Sequence, residues 1–210
     1  GLRAPLDEPF YRLGNSTVAA MSSQKMPAAP ERTHEKYERL IALAKTMPAV
    51  SAAVAHPCDQ ASLAGALEAA QAGLITPILV GPKTKIEQVA SQSGLNLKGI
   101  EIIDVEHSHD AATKAVEIVR SGRAEVLMKG SLHSDELLSA VTKKDTGLRT
   151  ARRISHVFIM DVPGHPETLF ITDAAVNIFP DLMAKRDIVQ NAIDLFQGLG
   201  LGTPKVAILS

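Results

Sequence analysis

The sequence predicts an α/β fold of three layers, with a mainly parallel sheet between two layers of helices. Three observations lead to this prediction. From residue 33 onward, apolar runs of strand length alternate with helical segments of about 10 to 15 residues, which is typical of βαβ units. The apolar runs are continuous, as expected of strands buried on both faces. Aromatic residues make up only 3% of the chain, so Ala, Leu, Val and Ile must form the core.

Composition divides the 210 residues into three segments. Residues 1–32 contain four prolines and many small polar residues without a sustained period, and we interpret them as a tail or linker. Residues 33–150 carry the regular alternation and are predicted to form a first α/β domain. Residues 151–210 are predicted to be the start of a second α/β segment, incomplete because the pattern stops at a strand.

Apolar periodicity and the breakers between segments define the elements of residues 33–150. Thr33 is a plausible N-cap for the first helix, which Pro48 ends. Gly73, Gly94 and Gly122 are suited to end the next three helices. The predicted strands are 51–55, 75–81, 100–105 and 124–128, and the helices between and after them are 59–72, 82–93, 109–121 and 134–143.

The remaining elements begin with two apolar runs, 154–162 and 168–173. A Pro-Gly-His-Pro turn joins them and is too short for a crossover, so the two strands should be antiparallel. A long helix is predicted from Pro180-Asp181 to about Phe196, and a last strand over residues 205–209.

Charge and composition exclude several classes of protein. Lys and Arg total 22 and Asp and Glu total 23, so the net charge of −1 argues against nucleic acid as the main partner. The single cysteine, Cys58, excludes an intramolecular disulfide framework and a zinc site of several thiolates, and we expect a reducing, cytoplasmic location. No run of ~18 apolar residues predicts a membrane span, and no P-loop motif occurs.

Polar clusters follow several predicted strands, and in open α/β sheets ligands bind beyond the carboxyl ends of the strands. The clearest cluster is Lys129-Gly130-Ser131. Lys129 is a point charge suited to phosphate, Gly130 allows close backbone approach, and the Ser131 hydroxyl can hydrogen-bond an anion. The alternative is an ordinary βα loop in which Ser134 or Asp135 caps the next helix.

Two further groups are candidates for ligand binding. Asp173 follows an apolar strand, with Asn177 four residues later, and it could orient a substrate amide or a basic side chain. Its alternative is a turn carboxylate in water. Arg152 and Arg153, close to Arg149, suit the phosphates of an anionic ligand, although a solvated basic loop has the same pattern.

Other patterns are weaker. A Cys58 nucleophile activated by His56 is possible in principle, but a small buried cysteine is commoner. His107 and His109 lack a typical metal-ligand spacing. The glycines of 198–202 follow a helix and precede an apolar run, which is the wrong order for a dinucleotide loop.

The motifs in combination resemble the phosphate acetyl/butyryltransferase family over about residues 34–210. The strings that carry the resemblance are AAVAHPCDQASLAGALEAAQAGLITPILVGP (52–82), AEVLMKGSLHSDELLSAV (124–141), RRISHVFIMDVPGHPETLFITDAAVNIFPDL (152–182) and KRDIVQNAIDL (185–195) with PKVAILS (204–210). They look closest to the butyryltransferase-like branch and to bacterial proteins in which this domain follows a hydratase-like domain.

The resemblance implies a cytoplasmic homodimer with a fold like that of isocitrate and isopropylmalate dehydrogenases. The implied reaction moves a short acyl group reversibly between coenzyme A and inorganic phosphate, with coenzyme A as substrate, no tightly bound cofactor and no metal. It implies that Lys129, Gly130 and Ser131 shape the phosphate side of a cleft that Asp173 and Asn177 also line. Arg152 and Arg153 are the candidates for further phosphate or coenzyme A contacts.

Two departures from the family pattern affect these expectations. Leu138 stands where the acetyltransferases have an arginine implicated in substrate binding, which favours a longer acyl group. The family's Ser-Arg segment and catalytic aspartate are expected beyond Ser210, the last residue of the sequence, so the catalytic residues are unknown here. We therefore expect a C-terminally truncated chain that is inactive by itself. Two alternatives stay open: a decarboxylating dehydrogenase of the same fold superfamily, and a non-catalytic coenzyme A-binding or assembly domain.

Overall fold

The structure, a computed structural model, describes residues 34–209 of the chain. The predicted tail of residues 1–32, the predicted cap Thr33 and the last residue, Ser210, lie outside the described residues. The elements of the first part are α1 (Glu35–Ala44), β1 (Val50–Ala55), α2 (Gln60–Gln71), β2 (Ile75–Gly81), α3 (Lys83–Gln92), β3 (Glu101–Asp104), α4 (Ser108–Arg120), β4 (Val126–Lys129) and α5 (Ser134–Thr142). They are followed by β5 (Val157–Met160), β6 (Leu169–Thr172) and α6 (Leu182–Gly198).

Strands β1 to β4 form a four-stranded sheet in the order β3-β2-β1-β4. All three strand pairs are parallel. In β1, Ala55 is the register partner of Val80 in β2 and of Lys129 in β4. The carboxyl ends of β1, β2 and β4 therefore lie at one edge of the sheet.

Both faces of this sheet are covered by helices, which confirms the predicted three-layer architecture. Ala53 and Val80 contribute to a core on the side of α4 and α5, together with Ala115 and Leu137. Their neighbours in the strands, such as Val54, point to the opposite face and pack against α2 and α3. This alternation follows from the period of two in a strand, and it explains why the sequence shows continuous apolar runs.

Local side-chain chemistry determines where several helices begin and end. Asp59 caps α2, because its carboxylate accepts a hydrogen bond from the Ser62 amide at 2.8 Å. Asp181 does the same for α6 through the Ala184 amide, at 2.7 Å. Gly73 follows α2 with a φ of 74°, in the left-handed region that glycine adopts without steric cost.

The second part of the chain contains an antiparallel pair, β5 and β6, as predicted. Helix α6 packs against it, with the rings of Phe170 and Phe196 in edge contact at 5.0 Å. Helix α1 is tied to the end of β5, since the Lys36 ammonium lies 3.1 Å from the Asp161 carboxylate. The Tyr37 amide donates to the same carboxylate, and these hydrogen bonds lower the pKa of Asp161.

The prediction of a last strand over residues 205–209 is wrong, because the described residues 203–209 have no regular secondary structure. An apolar run becomes a strand only when another strand supplies ladder hydrogen bonds, and no described strand pairs with this one. Its side chains are exposed, Leu209 at 92%. The predicted domain boundary after residue 150 stays a prediction. No helix within residues 34–209 is long and apolar enough to span a membrane.

Candidate functional site

The strand order reverses direction between β1 and β4. From β1 the chain proceeds outward through β2 and β3, and then returns to the other side of β1 with β4. In open α/β sheets the crevice at such a reversal, outside the carboxyl ends of the strands, is where ligands bind. The loops that border it are residues 56–59 after β1 and residues 129–133 after β4.

Gly130 allows these two loops to approach closely. A Cβ at this position would lie 2.4 Å from the Ala55 carbonyl oxygen and 2.5 Å from the His56 carbonyl oxygen, far inside van der Waals contact. The Gly130 amide donates to the Ala55 carbonyl at 2.8 Å, which extends the β1–β4 pairing by one residue. Only glycine therefore fits at this place in the sheet edge.

Ser131 joins the two loops through its backbone and its side chain. Its amide and its hydroxyl both lie 2.8 Å from the His56 carbonyl oxygen. The hydroxyl oxygen also accepts from the Cys58 amide at 3.2 Å. The hydroxyl that was predicted to hydrogen-bond an anion is thus engaged with the loop after β1.

His56 has an unusual conformation at the centre of this arrangement. Its φ is 53°, and it is the only non-glycine residue with positive φ within residues 34–209. Its Nδ1 lies 3.2 Å from the Ser131 hydroxyl oxygen. Burial, aided by the positive charge of Lys85, lowers the pKa of the imidazole below its usual 6.5, which favours the neutral form at physiological pH.

Lys129 supplies positive charge at the same edge. Its ammonium donates to the carbonyls of Leu132 at 2.8 Å and Gly130 at 3.2 Å. An ammonium has three donors, so one remains for a ligand. Within the described part of the chain, the salt bridges do not include Lys129, and its charge is not neutralised by a carboxylate in direct contact.

Glu136, at the start of α5, has both carboxylate oxygens hydrogen-bonded by its neighbours. One carboxylate oxygen accepts from the Ser108 hydroxyl at 2.8 Å and the other accepts from the His133 amide at 3.1 Å. These hydrogen bonds, that of Ser108 first, lower the pKa of Glu136. The carboxylate joins the beginnings of α4 and α5 and stabilises the exposed amides at the start of α5.

The other sequence patterns at this edge have structural roles. Cys58 is buried, and burial raises the pKa of its thiol, which disfavours the nucleophilic thiolate. His107 and His109 stack with ring centroids 5.5 Å apart at the exposed start of α4. Among residues 34–209, no three His, Cys, Asp or Glu side chains are grouped so that they could hold a metal ion.

Asp173 and Asn177 lie together, as their spacing suggested, but their polar groups face each other. The Asp173 carboxylate accepts from the amides of Ala175, Val176 and Asn177 at 3.0–3.1 Å and from the Asn177 side chain at 2.5 Å. Burial alone would raise the pKa of Asp173, but these hydrogen bonds outweigh it and lower the pKa. Asn177 also donates to the Ile154 carbonyl.

The two arginines differ in their contacts. The Arg152 guanidinium pairs with the Asp194 carboxylate at 2.5 Å and contacts the Asn191 side chain at 3.2 Å, so it fastens the loop before β5 to α6. Arg153 is held by its backbone amide, which donates to Asp187 at 3.0 Å. The Arg153 residue lines an open depression of about 270 Å³ with Asn177, Ile178, Phe179 and Asp181.

The predicted site residues therefore fall into two groups. Lys129, Gly130 and Ser131 meet the loop after β1 at the reversal of strand order, while Arg153 and Asn177 share the depression beside α6. No hydrogen bond among the described residues joins the two groups, so their common cleft stays a prediction. Sequence reasoning assigned no role to the His56–Ser131 contact, because it joins residues 75 positions apart.

The catalytic residues themselves stay unassigned. Among the described residues, none is assigned a catalytic role by the resemblance, and Ser210 lies outside the described residues. The groups brought together at the reversal of strand order are therefore interpreted as binding and positioning groups, and the expectation about Ser210 stays a prediction.

Gly130→Ala tests the close approach of the two loops. The new methyl group would overlap two backbone carbonyl oxygens, so we expect the free energy of unfolding to fall by at least about 1–3 kcal/mol. Urea denaturation measures this change. The matched control is Gly198→Ala in α6, where a Cβ meets nothing within 4 Å and should be neutral or slightly stabilising. Equal stability of the two variants would contradict the packing described.

Asp173→Asn tests whether the ionised carboxylate stabilises its loop. The folded pKa lies below the ordinary 3.8, so this stabilisation is complete at neutral pH and is lost as pH falls through the folded pKa. We expect the variant to be less stable than the parent at neutral pH, with a difference that shrinks below pH 3.8. Urea denaturation over a pH series measures it, with the exposed Asp145→Asn as control. A difference that is independent of pH would argue against this role.

Comparison with known proteins identifies relatives in sequence. A family model described as "Phosphate acetyl/butaryl transferase" matches residues 106–210. A phosphate acetyltransferase from Rhizobium meliloti is 63% identical over 186 residues, which cover 89% of this chain and 58% of that protein. A phosphate butyryltransferase from Clostridium beijerinckii is 35% identical over 173 residues, 82% of this chain and 57% of that protein. The chain spans about half the length of the curated relatives it matches.

Solved structures agree with these relatives. A branched-chain phosphotransacylase from Enterococcus faecalis V583 superimposes with a TM-score of 0.60 at 26% identity, covering 77% of this chain and 56% of that one. A phosphotransacetylase from Streptococcus pyogenes gives 0.69 at 17% identity over 82% of this chain and 62% of that one, which shows a shared fold. The chain belongs to the phosphate acetyl/butyryltransferase family.

Proposed function

We propose that the protein catalyses the reversible transfer of a short acyl group between coenzyme A and inorganic phosphate, an acyltransferase reaction of the EC 2.3.1 class. The observation that carries the proposal is the 63% identity with a phosphate acetyltransferase over 89% of this chain. The structure adds a positive side chain, Lys129, at the reversal of strand order, where a small anion can bind.

In the proposed reaction the coenzyme A thiolate attacks the carbonyl carbon of an acyl phosphate. A carbon–sulfur bond forms, the bond from that carbon to the phosphate oxygen breaks, and inorganic phosphate leaves. The remaining donor of the Lys129 ammonium would hold a phosphate oxygen and stabilise the charge that develops on it. Coenzyme A is a substrate in this scheme, and the scheme includes no tightly bound cofactor.

The acyl group is short, and two observations bear on its length. The Rhizobium meliloti relative is named for acetyl transfer and shares more identity than the Clostridium beijerinckii relative, which is named for butyryl transfer. Leu138, on α5, replaces an arginine expected in acetyltransferases of the family. We propose acetyl as the first acyl group to test, with propionyl and butyryl as the next. The butyryltransferase-like branch stays a prediction.

The proposal also includes a cytoplasmic homodimer. The support for the homodimer is the apolar surface of the second part of the chain, where Ile178, Phe179 and Leu182 are at least 81% exposed. Exposed apolar surface of this kind is typical of a protein interface. The hydratase-like domain expected upstream stays a prediction.

The activity is tested with purified protein of the full encoded length. Acetyl-, propionyl- and butyryl-coenzyme A are each incubated with and without inorganic phosphate, and free thiol is followed with a disulfide reagent. We expect thiol release that requires phosphate and is fastest with one of the three donors. Absence of phosphate-dependent release with all three would refute the proposal. A dependence on a metal ion or a nicotinamide would instead favour the dehydrogenase alternative.

Lys129→Met tests the anion contact in the same assay. Methionine keeps the apolar stem and removes the charge, so we expect the KM for phosphate to rise about tenfold or more, as for loss of a charged hydrogen bond. The control is Lys143→Met at the exposed end of α5, which should leave the KM unchanged. Equal KM values for phosphate in the two variants would remove Lys129 from the phosphate site.

A further inference from the structure

The His56 backbone is strained at the place where the fold presents ligand-binding groups. A side chain in the left-handed region costs roughly 1 kcal/mol or more relative to the usual conformations. The His56 amide donates to the Val80 carbonyl at 2.7 Å, and its carbonyl accepts from Cys58 and Ser131, so the surroundings hold this conformation. The conformation places a half-buried imidazole beside the loop that carries Lys129.

The Ser131 hydroxyl selects the tautomer of that imidazole. A hydroxyl has one proton, and its shortest acceptor here is the His56 carbonyl, at 2.8 Å. With that proton used, the hydroxyl oxygen can only accept from the His56 Nδ1, which lies 3.2 Å away. The hydrogen-bond pattern therefore assigns the ring proton to Nδ1 and leaves a lone pair on Nε2.

Three charged side chains act on the His56 ring. Lys85 on α3 opposes protonation of the ring, whereas Asp59, before α2, and Glu136, on α5, favour it. The pKa of Asp59 is lowered first by its hydrogen bonds from Ser62, with a smaller contribution from the charge of Lys129, at the end of β4. Burial and Lys85 prevail over the two carboxylates, so the net direction is toward the neutral ring.

We propose that His56 determines specificity for inorganic phosphate, with Nε2 accepting a hydrogen bond from the P–OH group, and that Ser131 is its positioning residue. This inference rests on the proposed function. Inorganic phosphate keeps at least one P–OH at neutral pH, whereas sulfate, of nearly the same size and shape, has none. Against sulfate, the Nε2 lone pair would face an oxygen lone pair, which is repulsive. Lys129 attracts both anions, and His56 distinguishes them.

The experiment measures direct binding of inorganic phosphate and of sulfate to the full-length protein by calorimetry at about pH 7.5. We expect the parent protein to bind phosphate at least about tenfold more tightly than sulfate, the value of one hydrogen bond to a charged group. His56→Gly keeps the left-handed backbone without strain. This variant should lose about tenfold in phosphate affinity, while its sulfate affinity should stay the same or rise because the repulsive lone pair is gone. The exposed His109→Ala should match the parent.

Two further measurements test the tautomer. Ser131→Ala removes the group that holds the proton on Nδ1, so the ratio of phosphate affinity to sulfate affinity should fall. In the parent, acid protonates Nε2 and turns it into a donor that sulfate can use, so the ratio of phosphate to sulfate affinity should fall as the pH falls through the lowered pKa of His56. His56→Gly should lack this component of the pH dependence.

The outcomes separate this inference from the proposed function. The inference is overturned if the parent binds the two anions equally or binds neither, if His56→Gly retains the parent's phosphate affinity, or if that variant loses both anions equally. The acyl-transfer assay on the same preparation decides the proposed function. An active parent without anion discrimination overturns the role of His56 alone, and an inactive parent that discriminates overturns the acyl transfer alone.

Discussion

The backbone contact between the loop after β4 and the end of β1 is the constraint on which the rest of the site depends. Gly130 lies against two carbonyl oxygens, and its neighbour Ser131 binds the His56 carbonyl. The contact leaves no space for a side chain at Gly130, and it holds His56 in a left-handed conformation that is uncommon for residues other than glycine. The same loop holds Lys129 at the sheet edge, because the Lys129 ammonium donates to the carbonyls of Gly130 and Leu132.

The carboxylates at this edge are engaged in hydrogen bonds that leave the Lys129 charge unpaired among the described residues. Asp59 and Glu136 have their carboxylates occupied, by Ser62 and by Ser108 with His133 respectively. A carboxylate that already accepts hydrogen bonds within its own helix start competes weakly for an ammonium group. The positive charge of this site therefore comes from its own loop rather than from a basic surface, which is consistent with a chain whose net charge is only −1.

The second part of the chain uses its polar residues differently. Asp173 holds its own turn, Arg152 fastens a loop to α6, and Asn177 joins Asp173 to the Ile154 carbonyl. These contacts stabilise a hairpin that would be only marginally stable alone, since two strands bury little apolar surface. Arg153 and Asn177 line the open depression beside α6, and their role in ligand binding stays a prediction.

The sequence by itself determined the order and type of the elements, because helical and strand periods are local properties. β2 was predicted with its observed bounds, and the family could be identified from the strings around Lys129 and Asp173. The run of 205–209 was misassigned, since a strand needs a partner that the run itself does not specify. The polar clusters at strand ends were visible in the sequence, but their roles were not.

Only the tertiary structure decided which of those clusters meet. The order β3-β2-β1-β4 follows from packing helices on both faces of the sheet, and it brings together loops 75 residues apart. In that arrangement the Ser131 hydroxyl hydrogen-bonds the His56 carbonyl rather than a ligand. Its oxygen then accepts from the His56 Nδ1, which fixes the tautomer of the ring. Hydrogen bonds depend on distances of a few tenths of an ångström, and such distances are set by the packing of the whole sheet rather than by local sequence.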